Sequence, residues 1–550
     1  MRIPFAVAFL CLPLLAVPSA VAQDRPNIVW ISAEDVSLRF GAYGDAAANT
    51  PHLDRLASEG IRYLQAFTTA GVCAPSRAAI ITGMHQNGWG GHHMRTTHDA
   101  PGIPTPYHAT PPPYVKAFTE YLRAAGYFTT NDVKTDYQIG NPVTIWDEHK
   151  RGAHWRSPLR KEGQPFFSVF NFGITHESQS WVTPDEETTT DPNTLELPPY
   201  YPDTPEVRRQ LAKQYDNIAR LDAQAGEILR QLEEDGLADN TVVFFWGDHG
   251  DGLPRAKRWL YDSGIHVPLI VRMPGQQEPG SASERLVSLV DLGPTVLSLA
   301  GVPIPAHMDG MAFLGDAEAP PREYIYAARD RIDMVYDMVR AARDKQYKYI
   351  RNFHPEKPYV QFVPYRNRSS IIQEIFRLNI ASELDDVQQL WLRDSRPPEE
   401  LYDVQADPHE VNNLADDPAL RDVLHRMRNE LDDWMLDIDE KGHLSEDQMV
   451  RQMWMGEEQP VTATPLILRR NDTDRELEAE QEGPVEIIME AGTDGASIAW
   501  TTDEGEEVHW KLYARPIRLE PGTTTTIRAK AIRYGYAESP ETMATITVKP

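Results

Sequence analysis

The sequence predicts an α/β protein built on a mostly parallel β-sheet flanked by helices, followed by a smaller α+β C-terminal subdomain and an appended β-sandwich. Three observations carry this. Asn27 to Ser32 (NIVWIS), Phe166 to Gly173 (FFSVFNFG) and Thr241 to Gly250 (TVVFFWGDHG) open as nearly continuous apolar runs, the pattern of strands buried on both faces. Amphipathic helical segments separate them, and strands alternating with such helices build a parallel sheet. Beyond residue 484 the helical period stops, and short alternating strands such as ASIAWTT and TTTTIRAKAI take over between glycine turns.

Taken in order, the chain starts with an arginine at position 2, an apolar run from Phe5 to Val17 and a small-x-small end at Ala20 to Ala22. This pattern predicts a signal peptide over residues 1–22 and a periplasmic or secreted product. Its apolar core is too short for a permanent membrane span, and no later stretch is long enough, so no transmembrane segment is expected. A first helix is predicted from Thr50 as N-cap, with Pro51 at its first position, to a stop at Gly60. A longer one runs from Thr204 to Gly236, with Val207, Leu211, Ile218, Leu221, Ile228 and Leu232 on one face. Residues 23–315 make the main domain in this reading and 316–455 the subdomain, which ends in an amphipathic helix near Leu424 to Leu436. The polar, irregular residues 456–483 are read as a linker and 484–550 as the sandwich. Trp500, Trp510 and Tyr536 suit the core of a small sandwich better than a sugar-stacking platform.

At 550 residues, 41% of them hydrophobic, the chain can bury a large core and hold several domains. Its formal net charge of -28 argues against nucleic acid as a partner. Any site for an anion must therefore be locally basic.

Each apolar run delivers polar residues at its C-terminal end: Glu34 and Asp35, His176, and Asp248 with His249. Open sheets of this kind bind ligands beyond those ends. Carboxylate oxygens suit a hard dication; alternatively Glu34 and Asp35 cap a helix and His249 is a satisfied core histidine. Cysteine usage adds a question. Of two cysteines, Cys11 lies in the predicted signal peptide, so an exported chain keeps Cys73 with nothing to pair with. It is either a small buried apolar residue or a site of chemistry.

Cys73, Pro75, Ser76 and Arg77, followed by Thr82 and Gly83, match a C-x-P-S-R…T-G signature. With RPNIVWISAED, TPHLDRLASEG, GDHG and LYDVQADPHEVNNLA in the same order, the chain from Pro26 to about Leu436 resembles the formylglycine-dependent sulfatases of the alkaline phosphatase superfamily. The GLPRAKRWLYDSG segment looks most like their sulfamidase-like and polysaccharide-sulfatase branch, and the tail looks like the fibronectin-like module of chitobiase-type hydrolases. The resemblance implies an alkaline-phosphatase-like fold and hydrolysis of sulfate esters, or an N-sulfate, of a sulfated carbohydrate such as a glycosaminoglycan or ulvan oligosaccharide. It implies that Cys73 is oxidised to formylglycine by a formylglycine-generating or anaerobic sulfatase-maturating enzyme, and that the hydrated aldehyde attacks sulfur and later expels sulfate. Glu34, Asp35, Asp248 and His249, together with the converted Cys73, would hold the metal: calcium before magnesium or manganese. Glu34 and His249 depart from the usual Asp and Asn. Arg77 would stabilise the diol, Lys134 and Lys257 clamp sulfate oxygens, and His176 protonate the leaving alcohol. At Asp136 stands a carboxylate where many relatives place a second histidine. His92, His93 and Arg95 either read the neighbouring sugar or hydrogen-bond the local backbone. Alternatives in function are a phosphodiesterase or phosphonate monoester hydrolase of the same superfamily and a non-catalytic glycan-binding protein.

Overall fold

A computed structural model describes residues 25–98, 106–183, 186–456, 458–470, 479–505 and 508–550. The predicted signal peptide and Cys11 lie outside the described residues. Eight strands form the main sheet: β1 (Asn27–Ala33), β2 (Ile61–Phe67), β3 (Phe128–Asp132), β4 (Glu148–His149), β5 (Phe166–Phe172), β6 (Thr241–Gly247), β7 (Leu269–Arg272) and β8 (Ser281–Ser288). Their order is β4-β3-β5-β1-β6-β7-β2-β8. Every neighbouring pair is parallel except the two made by β7, which runs against β6 and β2.

All seven residues of β1 are buried, and their alternation explains why. Ile28 and Trp30 face one apolar layer with Phe118, Phe167, Phe244 and Trp246, while Val29, Ile31 and Ala33 face another with Leu53, Ile218, Leu221 and Phe245. The two-residue period of a strand thus feeds two cores. The second core is covered by helices Pro51–Glu59 and Pro205–Glu234, within two residues of the predicted bounds. Thr204 caps the longer helix by accepting the N–H of Val207 at 3.4 Å. At the predicted cap of the shorter one, the Thr50 hydroxyl instead accepts the N–H of Gly41 at 3.0 Å and donates to Asp54 at 3.1 Å.

Four antiparallel strands follow, β9 (Ile325–Arg329), β10 (Val339–Arg343), β11 (Tyr347–Asn352) and β12 (Glu399–Asp403), in the order β12-β11-β10-β9. Leu424, Met427, Leu431 and Trp434 of helix Arg421–Asp437 pack on them. The remaining strands are β13 (Leu466–Arg469), β14 (Glu480–Glu482), β15 (Val485–Glu490), β16 (Ser497–Thr501), β17 (Lys511–Leu512), β18 (Ile517–Leu519), β19 (Thr524–Ile532) and β20 (Thr542–Lys549). They form two sheets, β13-β15-β18 and β14-β20-β19-β16-β17, around Val485, Ile487, Ile498, Ile527, Ala529 and Ile546. One difference from the sequence reading stands out: two strands lie inside the segment read as linker, β14, which pairs parallel with Thr547 to Lys549, and β13. The four residues of β13 pair antiparallel with Ile487 to Glu490, so a non-local edge rather than local periodicity makes the strand.

The C-terminal sheets are joined to the main body through buried polar contacts. Tyr534 is 1% exposed, packs in the first apolar layer, donates to Glu120 Oε1 at 2.7 Å and accepts the N–H of Ala117 at 3.1 Å. Ser497 donates to Glu120 Oε2 at 2.6 Å. Tyr534→Phe leaves a buried carboxylate oxygen short of a donor, a loss of about 1–3 kcal/mol. The expected readout is an earlier urea midpoint at unchanged slope. An unchanged midpoint would show that this contact does not hold the parts together. Among the described residues, no helix is long and apolar enough to cross a membrane.

Candidate active site

The ends of β1 and β6, adjacent and parallel, bring Glu34 and Asp35 next to Asp248 and His249, and the end of β5 adds His176. Cys73 opens the helix Cys73–Thr82, whose ten residues are all buried. Val72 before it is extended, at φ -150 and ψ 153, so the first turn points its free N–H groups and the positive end of the helix dipole toward residue 73's surroundings. The helix is locked to β6 in two places. Ser76 donates to the Asp248 carbonyl at 2.7 Å, and Arg77 Nε to Asp248 Oδ2 at 3.0 Å.

Cys73, Asp35, Asp248 and His249 are fully buried. Exposure rises toward Lys134 and Asp136, whose side chains are 20% and 27% accessible, so the site opens on that side. Asp35 sits at the centre. Its Oδ2 accepts from Lys257 Nζ at 2.6 Å and from the N–H of Glu177 at 2.7 Å. Its Oδ1 lies 2.9 Å from His249 Nε2, yet off hydrogen-bond alignment, so neither buried atom has a hydrogen-bond partner. Glu34, Asp35 and His176 offer a second set of converging donor atoms beside the set of Asp35, Asp248 and His249. The two sets share Asp35 and between them offer three carboxylates, two imidazoles and two orphaned buried ligand atoms, a donor set that fits a hard, oxygen-preferring ion. The electrostatics agree. Burial works against a charged imidazole, but Asp248 and Asp35 raise His249 to about 10, so the cluster attracts positive charge. Burial also opposes ionisation of Asp35, but Lys257 and His249 hold it well below the usual carboxylate range.

Cations gather at the carboxylate cluster beside the Cys73 helix: Arg77 pairs with Asp248 at 3.0 Å and Lys257 with Asp35 at 2.6 Å. Lys134 also pairs with Glu34 at 2.8 Å and with Asp136 at 3.3 Å. An anion can therefore be held here despite the acidity of the whole chain. His176 hydrogen-bonds Ser178 Oγ through Nδ1 at 2.9 Å, leaving Nε2 for the site, and burial lowers its pKa.

Of the three residues in the loop after the Cys73 helix, only Arg95 stays at the site. His92 is 2% and His93 0% exposed; they lie against each other, ring centres 4.2 Å apart, and His93 Nδ1 accepts the N–H of Arg331 at 3.3 Å. Burial takes both away from any surface a sugar could touch, and neither ring bonds the local backbone: the partner of His93 is 238 positions away, and both ring nitrogens of His92 lack a hydrogen-bond partner among the described residues. The reason is the neighbouring network of Asp330, Arg340 and Glu440, which draws the loop inward.

Three positioning residues escaped the sequence reading. Asn171 accepts from Arg77 at 2.7 Å and from Ser32 at 2.8 Å, and donates to Asn131 at 2.8 Å and to the Asp132 carbonyl at 3.0 Å, so all its capacity serves to hold Arg77. Glu177 takes a two-pronged bond from Arg258 at 2.9 and 2.7 Å and lies 3.3 Å from Lys257. Position was the available signal: Asn171 is near a strand end, Glu177 follows His176, and Arg258 follows Lys257. Burial would raise the Glu177 pKa, but Arg258 and Lys257 pull it from 4.5 to about 2. A depressed carboxyl stabilises the fold in full above its unfolded value and loses this as pH falls toward the folded one. Thermal scans from pH 7 to 3 should therefore show a steepening loss below about pH 4.5 that Glu177→Gln lacks; parallel curves would refute the assignment.

Comparison with known proteins now supplies what geometry cannot. The family model described as Sulfatase matches residues 26–302, and that described as N-sulphoglucosamine sulphohydrolase, C-terminal, matches residues 250–370. An ulvan-active sulfatase of Formosa agariphila is 40% identical over 552 residues, covering 93% of this chain and 90% of that protein. The human N-sulphoglucosamine sulphohydrolase is 28% identical over 470 residues, covering 77% of this chain and 92% of that protein. Among solved structures, a 2-O GAG sulfatase shares the fold with a TM-score of 0.55 at 20% identity, covering 76% of this chain and 93% of that one.

Proposed function

We propose, from the premise that this chain belongs to the sulfatase family and is a sulfuric ester hydrolase of alkaline-phosphatase-like fold, that it removes sulfate from oligosaccharides of a sulfated polysaccharide. The observation that carries the proposal is the pairing of Arg77, Lys134 and Lys257 with Asp248, Glu34 and Asp35 beside the start of the Cys73 helix, which sets cations and a carboxylate cluster side by side. The family implies a formylglycine and a divalent metal, which together supply an activated oxygen nucleophile and charge neutralisation at sulfur.

The chain's own residues divide the remaining work. Cys73 is the residue to be converted. Glu34, Asp35, Asp248 and His249 would hold the metal; their carboxylate oxygens favour calcium, while the His249 nitrogen tolerates softer ions. Arg77, fixed by Asp248 and Asn171, keeps a guanidinium next to residue 73. Lys134 and Lys257 would clamp sulfate oxygens through their ammonium groups. His176 would donate a proton to the departing sugar oxygen.

The 40% identical relative, named for activity on ulvan, supports an ester of an algal polysaccharide as substrate. The match of residues 250–370 to the sulphoglucosamine model favours a second reading, an N-sulfate. Purified enzyme, co-expressed with a maturation enzyme, should be offered ulvan oligosaccharides, N-sulfated glucosamine and an aryl phosphate diester, with sulfate and phosphate release measured. The proposal expects kcat/KM highest on an oligosaccharide ester. Highest turnover of the N-sulfate establishes the second reading, and highest turnover of the diester overturns both.

A further inference from the structure

Outward from His176 runs a line of groups that the reaction itself does not require. The ring of Tyr365 lies 6.4 Å from that of His176, Trp181 meets Tyr365 edge to face at 4.9 Å and 65°, and the Arg368 guanidinium sits 4.5 Å over the Trp181 ring. Tyr365 is 40% exposed, Arg368 is exposed and Trp181 is half-buried, so the line forms an accessible face leading away from the cluster. Arg95 interacts electrostatically with both Tyr365 and Cys73, tying the face to the reacting centre. Arg95 holds a left-handed backbone, φ 62, which a long side chain adopts only at a cost.

We propose that Trp181, Tyr365 and Arg368 form a subsite for the sugar next to the sulfated one, and that this neighbour is itself anionic. The inference rests on the carbohydrate-sulfatase reading above. The exposed Tyr365 ring, braced against Trp181, offers apolar surface to the C–H face of a pyranose. Arg368 is held on Trp181 by a cation–π contact, which leaves its fork of N–H donors free for a carboxylate or a sulfate.

The test uses the full chain carrying Cys73→Ala, so that binding is measured without turnover. Three probes are titrated calorimetrically: a sulfated disaccharide whose neighbouring sugar is a uronic acid, the same disaccharide with the carboxyl reduced to an alcohol, and one with a second sulfate on the neighbouring sugar. Adding Arg368→Ala should weaken whichever anionic probe binds best about tenfold. It should change the reduced probe by less than about twofold, and Trp181→Ala should weaken all three. The better anionic probe identifies the source of the charge. Equal binding of neutral and anionic probes, no binding of either anionic probe, or indifference to Arg368→Ala overturns the subsite. Failure of the function reading would look different: no sulfate release by the matured wild-type enzyme from any sulfated sugar.

Discussion

Cys73→Ala abolishes sulfate release, with kcat falling by about four orders of magnitude or more, because the covalent step has no other group to run on. The substitution is gentle on the fold. Cys73 packs in a small cluster with Val72, Ala74, Met94 and Ile332, so trimming it removes one sulfur and costs about 1 kcal/mol. The measurement pairs steady-state sulfate release with intact mass of the Cys73 peptide. In matured wild-type enzyme that peptide is about 18 Da lighter than the thiol form, the difference between a thiol and an aldehyde side chain. A variant retaining more than a few per cent of the rate would remove residue 73 from catalysis. An unmodified thiol in fully active enzyme would equally exclude the aldehyde.

Asp35→Asn is expected to lower kcat/KM by about a thousandfold and to erase most of the calcium-dependent stabilisation. Asp35 is shared by both converging donor sets, so no other single residue contributes as much to the cluster. The carboxylate also has a purely structural task, since it neutralises Lys257, whose side chain is 1% exposed. Some loss of stability is therefore expected without any metal. The two effects separate by taking Tm with and without saturating calcium. A ligand at a hundred times its Kd stabilises by about 2.7 kcal/mol, an increment the wild-type chain should show and Asp35→Asn should largely lose. An equal increment in both would move the cation elsewhere. Chelator treatment of the wild-type enzyme should remove activity and the increment together, and restored calcium should return both.

Much of this site was legible because its donors sit at the ends of strands. Glu34 and Asp35 follow an apolar run, and so do Asp248 and His249; a parallel sheet then brings the two ends together. Lys134 and Lys257 were found by resemblance, not by periodicity, and the structure adds their partners, Glu34 and Asp35. His92 and His93 were ambiguous because a loop of histidines has the same sequence whether it faces substrate or is drawn inward by Asp330 and Glu440. Strand β13 could not be read because its partner begins about twenty residues later. Likewise, nothing local announces that β7 runs against its neighbours.

By itself the sequence determined which segments are buried strands and where the long helix begins and ends, properties of neighbours along the chain written in a period of two or of about 3.6 residues; the expectation that Cys73 is converted to an aldehyde came from resemblance instead. Only the tertiary structure decided which charges answer which: Lys257 to Asp35 across 222 positions, Arg77 to Asp248 across 171, Arg258 to Glu177 across 81. Ion pairs act over a few Å in a buried setting, and separation along the chain carries no information about distances that short.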